Sequence, residues 1–124
     1  MTNPVDAPDP RPTVVRSGGR WMLAGSECTV CGYRLALERP RCPVCRGVLR
    51  EALWGPEGTV WSAATQRIPV PGLDPPVTFG YLDLDGGPRV LVQAETAEPA
   101  PAPGTRMELC GPSGTGNPLA RSLP

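Results

Sequence analysis

The sequence predicts an all-β protein in two parts, a small metal-stapled ribbon followed by a barrel of about five strands. Three observations lead there. Cys28-x2-Cys31 and Cys42-x2-Cys45 are two CxxC pairs at metal-ligand spacing. Beyond them, strand-like segments alternate with Gly-, Pro- and Asp-rich turns. No stretch carries the apolar period of an amphipathic helix.

The chain has 124 residues, room for one modest domain or two very small ones. Residues 1–19 are rich in proline and end in Ser17-Gly18-Gly19, so they read as a disordered arm. Residues 20–54 form the ribbon, with Arg20–Ala24 as a short strand leading into the first cysteine pair. Residues 55–124 form the barrel domain. Its strands are Gly58–Ile68, Val77–Leu84, Arg89–Glu95 and Thr105–Cys110, with Asp85-Gly86-Gly87 as a hairpin turn between the second and third. Thr96–Gly104 alternates proline with alanine and can be neither helix nor central strand. Residues 111–124 have turn composition and read as a flexible tail, with Leu119–Leu123 as a short last strand. Trp61, Phe79 and Tyr81 are expected in the core.

Each CxxC turn aims two sulfurs at one ion and points backbone amides at the thiolates. Two such turns make Cys28, Cys31, Cys42 and Cys45 the expected ligands of one shared tetrahedral metal, since soft all-sulfur sites suit Zn(II) or a single Fe. Cys-Thr-Val-Cys-Gly-Tyr (28–33) and Cys-Pro-Val-Cys (42–45) resemble the cysteine loops of rubredoxin. Here the loops lie close together, no aromatic cluster separates them, and Arg46 displaces the glycine after the last cysteine. The expected ion is therefore one structural Zn, with Fe as the alternative. Cys110 is the odd cysteine and reads as a bystander.

Composition removes whole classes of chemistry. There is no histidine, which excludes Ser–His–Asp and Cys–His machinery within this chain. All twelve basic residues are arginine, which excludes Schiff-base chemistry and a phosphate-loop lysine. No catalytic residue is assigned, and no cofactor-binding residue besides the metal ligands. Residues 1–50 hold eight Arg against four Asp and Glu, and residues 51–124 reverse those numbers, as separate modules would. The start shows no signal-peptide pattern and no apolar run reaches membrane-spanning length, so a cytoplasmic protein without membrane association is expected. In that compartment paired cysteines favour a metal over disulfides.

The order of features is distinctive. The ribbon is followed by Gly58-Thr59-Val60-Trp61-Ser62-Ala63-Ala64-Thr65, a proline-bearing loop at 69–76, Phe79-Gly80-Tyr81-Leu82-Asp83-Leu84, and Gly87-Pro88-Arg89-Val90-Leu91-Val92-Gln93. From Arg20 to Cys110 this resembles the domain of unknown function 35 family, proteins with an N-terminal rubredoxin-like zinc ribbon and an OB fold. The resemblance implies a non-catalytic accessory subunit that forms a hetero-oligomer with a thiolase- or ketosynthase-like enzyme. It also implies help in handling acyl-CoA or another acyl thioester. The chain departs from the family where the OB helix has shrunk to a proline linker and the last strand is short or lost. That predicts a barrel incomplete at its last strand, with an edge for the partner to cover. The alternative is a single-stranded nucleic-acid binder using Arg34, Arg39, Arg41, Arg46 and Arg50, against which stand the acidic barrel half and Asp83 and Asp85. A rubredoxin-like electron carrier is the third reading and needs iron.

Overall fold

A computed structural model describes residues 10–124. All regular structure among them is β-strand. Strands β1 (Thr13–Ser17) and β2 (Arg20–Cys28) form an antiparallel hairpin. Gly18 and Gly19 close it with φ of +59° and +77°, the positive values that a two-residue hairpin turn of matching twist requires. The expected disordered arm is thus a strand from Thr13 onward. Val14 and Val15 supply the β-branched residues, and Ser17-Gly18-Gly19 is a turn, not the end of a tether. Residues 1–9, the rest of that arm, lie outside the described residues. β2 also runs on to Cys28, four residues past the expected Ala24.

β2 is the spine of the ribbon. β1 and then the two-residue β3 (Arg34–Leu35) pair along one side, and β4 (Leu49–Trp54) pairs along the other from Cys28↔Leu49 to Leu23↔Trp54. The barrel follows as β5 (Glu57–Gln66), β6 (Val77–Leu84), β7 (Arg89–Ala94), β8 (Arg106–Pro112) and β9 (Pro118–Ser122). The strands close in the order β5-β6-β7-β9-β8 and back to β5. All neighbours are antiparallel except β7 and β9, which run parallel over Gln93↔Leu119 and Ala94↔Ala120. This is the five-stranded Greek-key barrel of the OB fold.

The barrel is closed, which corrects the expected incompleteness. The last strand is present, and Ala120 on it is fully buried. The glycine- and proline-rich stretch before it is a hairpin loop, held by Ser113 N–H to Asn117 C=O at 2.8 Å. Pro118 starts β9, a place where a missing N–H is tolerated. Every barrel strand has a neighbour on both sides, over three positions between β5 and β8 and over two between β7 and β9. The proline linker does replace the usual OB helix. It is pinned to β5 by Gly104 N–H to Val60 C=O at 2.8 Å and by Val60 N–H to Thr105 C=O at 2.9 Å.

The core gathers Val60, Leu82, Leu84, Val90, Val92, Ala94, Met107, Leu109 and Ala120 from all five barrel strands, and Leu23 from the ribbon. Val14, Trp21 and Trp54 pack against this cluster. The two halves differ in charge yet share one core. Gly87 in the β6–β7 turn lies so close to the Trp54 indole that an added Cβ would meet it at 3.1 Å. A larger residue there would have to push the indole aside by a few tenths of an ångström.

Trp61 and Tyr81 are exposed, not buried as the sequence suggested, and Phe79 is half-buried. A register shift between Val60 and Ser62 gives Trp61 an extra position on β5, and such a bulge re-aims the side chain. On β6, Thr78, Leu82 and Leu84 take the inner positions, so strand alternation turns Tyr81 outward.

Candidate metal centre and the surfaces around it

The four cysteines expected as ligands come together. Cys28 ends β2, and Cys31 follows one turn later. Cys42 and Cys45 sit on the second turn, which leads into β4. The four Sγ atoms lie within 4.8 Å of one another and form a cluster that could hold a metal ion. Cys28 and Cys45 are 3.4 Å apart, and Cys31 and Cys42 3.7 Å. A disulfide would need about 2.05 Å. Four sulfurs at about 2.3 Å from one tetrahedral ion stand about 3.8 Å from each other. The donor set fits a closed all-sulfur site.

The two turns repeat one backbone design. Gly32 N–H donates to Cys28 C=O at 3.1 Å, and Arg46 N–H to Cys42 C=O at 2.9 Å. Each turn then needs a left-handed residue one place after its second cysteine. The first uses Gly32 at φ +77°; the second uses Arg46 at φ +64°, the only non-glycine described at positive φ. A side chain there costs roughly 1 kcal/mol or more, so the second turn is held in place by something beyond its own preference. The amides of Val30 and Cys31 approach Cys28 Sγ, and those of Val44 and Gly47 approach the sulfurs of Cys42 and Cys45, all at 3.4 Å.

Those amides act on the thiols. The Cys31 amide, helped by Val30 and the neighbouring sulfurs, brings Cys28 down to about 6 against the opposing effect of burial. The Tyr33 amide favours the Cys31 thiolate, but burial and the sulfurs of Cys45, Cys28 and Cys42 push that thiol up to about 12. Without a cation the cluster cannot hold four thiolates at once, because like charges this close disfavour further ionisation.

Gly47 guards the site from behind. A Cβ there would stand 2.8 Å from Val30 Cγ2 and 3.2 Å from Cys28 Sγ. Gly47→Ala should therefore displace the first turn and weaken metal retention by about tenfold or more. Competition with a chromogenic chelator measures this; equal retention by the variant and the parent chain would contradict it.

Cys110 is half-buried on β8. Burial first, and then the Glu95 carboxylate facing its thiol at 3.5 Å, raises it to about 11. It stays protonated, as a bystander does. The five ribbon arginines 34, 39, 41, 46 and 50 are all exposed. Arg50 pairs with Glu27 at 3.0 Å and Arg39 donates to its neighbour's carbonyl.

A surface cluster was not legible beforehand. Trp61 and Tyr81 meet edge to face at 6.0 Å, and the Arg89 guanidinium lies 4.0 Å from the Trp61 ring centroid. Asp83 accepts from Arg89 at 2.6 Å, and Asp85 from Arg106 at 2.6 Å. These arginines hold both carboxylates below the usual range through hydrogen bonds. Leu91, opposite Tyr81 in register, is also exposed. Trp, Tyr and Arg braced against one another are what binding hot spots are made of. Counting inward from Leu82 and Leu84 would have marked Tyr81 as outward.

Comparison with known proteins extends these observations. A family model described as ChsH2, C-terminal OB-fold domain, matches residues 51–111. No curated protein matches the chain. Among solved structures, the Ltp2-ChsH2(DUF35) aldolase superposes with a TM-score of 0.66 at 20% identity, covering 82% of this chain and 84% of the matched one.

Proposed function

We propose, because the barrel belongs to the DUF35 OB-fold family, that the chain is a non-catalytic accessory subunit of an acyl-thioester enzyme. The partner is thiolase-like, ketosynthase-like or an aldolase. The small subunit supports its stability or its handling of an acyl-CoA or other acyl thioester in lipid, sterol or natural-product metabolism. The observation that carries the reading is the likeness to a DUF35 chain solved as part of an aldolase. The missing histidine and lysine agree with it, since chemistry must then be supplied by another chain.

In this reading Cys28, Cys31, Cys42 and Cys45 hold one Zn that is structural. Four protein sulfurs leave no open position, as structural sites do. When bound, the ion supplies no bond-making step; it fixes two turns and the register of β2 against β4. The partner would meet the face carrying Trp61, Tyr81, Leu91 and Arg89, where exposed aromatic and apolar side chains gather.

The exposed aromatic pair also favours the nucleic-acid reading, because OB folds stack bases on such side chains. Against it, the cations of that face are already compensated: Arg89 by Asp83, Arg106 by Asp85 and Arg67 by Glu98. Phosphate-backbone binding draws on uncompensated charge.

The test is co-expression with thiolase-like and aldolase enzymes of the same genome, followed by size-exclusion chromatography. One enzyme should co-elute with the chain, and Trp61→Ala should weaken that complex by about tenfold or more. Separate elution from every such enzyme at micromolar concentration would remove the reading.

A further inference from the structure

The outer surface of β5, β6 and β7 carries a ridge beside a groove. Trp61, Tyr81 and Leu91 form the ridge, at 53%, 44% and 47% exposure. The register sets Ser62 opposite Tyr81 and Ala64 opposite Phe79, so two small side chains lie next to two large ones on one face. They leave a shallow groove of about 380 Å³, lined by Ser62, Ala64 and Phe79 along its length and by Tyr81 and Leu91 at its side. The ridge is braced before anything covers it. Tyr81 meets Trp61 edge to face and Arg89 lies over the indole, so little side-chain freedom remains to be lost on binding.

This surface is neutral. No charged side chain lines the groove. Asp83 and Arg89 border the ridge and pair with each other at 2.6 Å. Farther along, Glu57 and Asp85 meet Arg20 and Arg106. A patch repeated across a two-fold axis meets its own copy, so an excess of either charge would there be set against itself. A ridge, a groove of apolar and small side chains, and no net charge satisfy both demands of such a contact.

We infer that a second copy of this chain covers the face when no enzyme does, in a two-fold dimer where each Trp61–Tyr81 ridge enters the other copy's Ser62–Ala64 groove. An aromatic side chain buries about 150–250 Å² when fully covered, and Trp61 and Tyr81 have roughly half of that left to bury. With Leu91 and Phe79 the apolar centre comes to roughly 350 Å² per copy, against about 800 Å² per partner in a stable complex. The dimer is therefore weak, with a dissociation constant on the order of 10–100 μM. The dimer itself stands apart from the accessory-subunit reading. One consequence rests on that reading: enzyme and second copy compete for one face, so self-association sets how much free subunit the enzyme meets.

Sedimentation equilibrium of the zinc-loaded full chain, alone, from about 1 to 300 μM tests this. The mean mass should rise from 13.1 kDa toward twice that value and level off there. Trp61→Ala removes the ridge and Ala64→Glu fills the groove with a charge. Each should weaken the dimer by about tenfold or more, with zinc content and melting temperature unchanged because both positions are exposed. Val48→Ala, at an exposed apolar position on the ribbon, should leave the dimer as it was. A chain that stays monomeric throughout overturns the proposal, and if Trp61→Ala still weakens co-elution with an enzyme, the face belongs to the enzyme alone. A dimer that survives both changes, or that Val48→Ala dissolves, uses another surface and overturns it as well. So does a mass that keeps growing past the dimer, since a two-fold contact closes. A dimer lost in both variants, with no enzyme co-eluting, upholds the proposal and removes the accessory-subunit reading.

Discussion

Cys42→Ser abolishes stoichiometric metal binding and unfolds the ribbon. That is the largest effect expected from any single change in this chain. Cys42 is 1% exposed, so a serine there presents a buried hydroxyl where a soft anionic ligand is needed. The ribbon has little else to hold it. Its fully buried apolar residues are Leu23, Cys28 and Cys42, and Leu23 belongs to the core shared with the barrel. A structural all-cysteine zinc site contributes about 10–16 kcal/mol of apparent binding energy, and that energy is folding energy. Whole domains are stable by only about 5–15 kcal/mol. The strained Arg46 turn then loses what holds it, and β3, β4 and the cysteine turns should go together.

Trp54 reports the event. Its Nε1–H donates to Leu35 C=O at 2.9 Å across the ribbon, so in a Trp21→Phe, Trp61→Phe background loss of the ribbon moves its emission to the red. Plasma emission spectrometry should find one zinc per parent chain and none in the variant. Zinc retained at one per chain, with unchanged Trp54 emission, would falsify the assignment of Cys42 as a ligand. Iron in the parent chain with reversible redox behaviour would instead favour the electron-carrier alternative. Protons compete with the metal at these sulfurs. Because Cys31 is held up near 12 in the free cluster, loading the site must release protons at neutral pH. Affinity therefore falls as pH falls, and a proton-release assay gives the sign directly.

Much of this site is local in sequence, which is why it could be read. A CxxC turn is a four-residue object, and two of them point to a four-sulfur cluster by spacing alone. The β6–β7 hairpin is equally local, since Asp85-Gly86-Gly87 names its own turn and Gly86 takes φ +66°. What could not be read depends on residues far apart. β1 forms only because β2 is there to pair with it, so a proline-rich start hid its two valines. Barrel closure rests on the parallel contact between Gln93–Ala94 and Leu119–Ala120, which no short-range signal announces. Trp61 faces outward because of a bulge defined against β6, and a one-residue shift exchanges the faces of a strand.

Leu23 should prove to be the residue that couples the ribbon to the barrel. It is 0% exposed, it lies on β2 between Val14 and Trp54, and it is the one fully buried ribbon residue in the barrel's core cluster. Leu23→Ala removes buried methyl groups at a place where two sheets meet. Neither sheet can close the gap alone, because β2 is fixed by its cysteine turn at one end and by the hairpin at the other. The expected loss is about 2–5 kcal/mol, a large part of a typical domain's stability. For a chain of this length that lowers the melting temperature on the order of 10 °C. Leu53→Ala on β4 is the control, since Leu53 is 47% exposed and a surface change there should stay within about 0.5 kcal/mol. Thermal melts of the zinc-loaded chains in that Trp21→Phe, Trp61→Phe background, followed by Trp54 emission for the ribbon and by the amide resonances of β6 and β7 for the barrel, separate two outcomes. A shared core makes both signals move down together in Leu23→Ala. If the Trp54 transition shifts while the barrel signal stays where it was, the two halves are packed independently and Leu23 belongs to the ribbon alone.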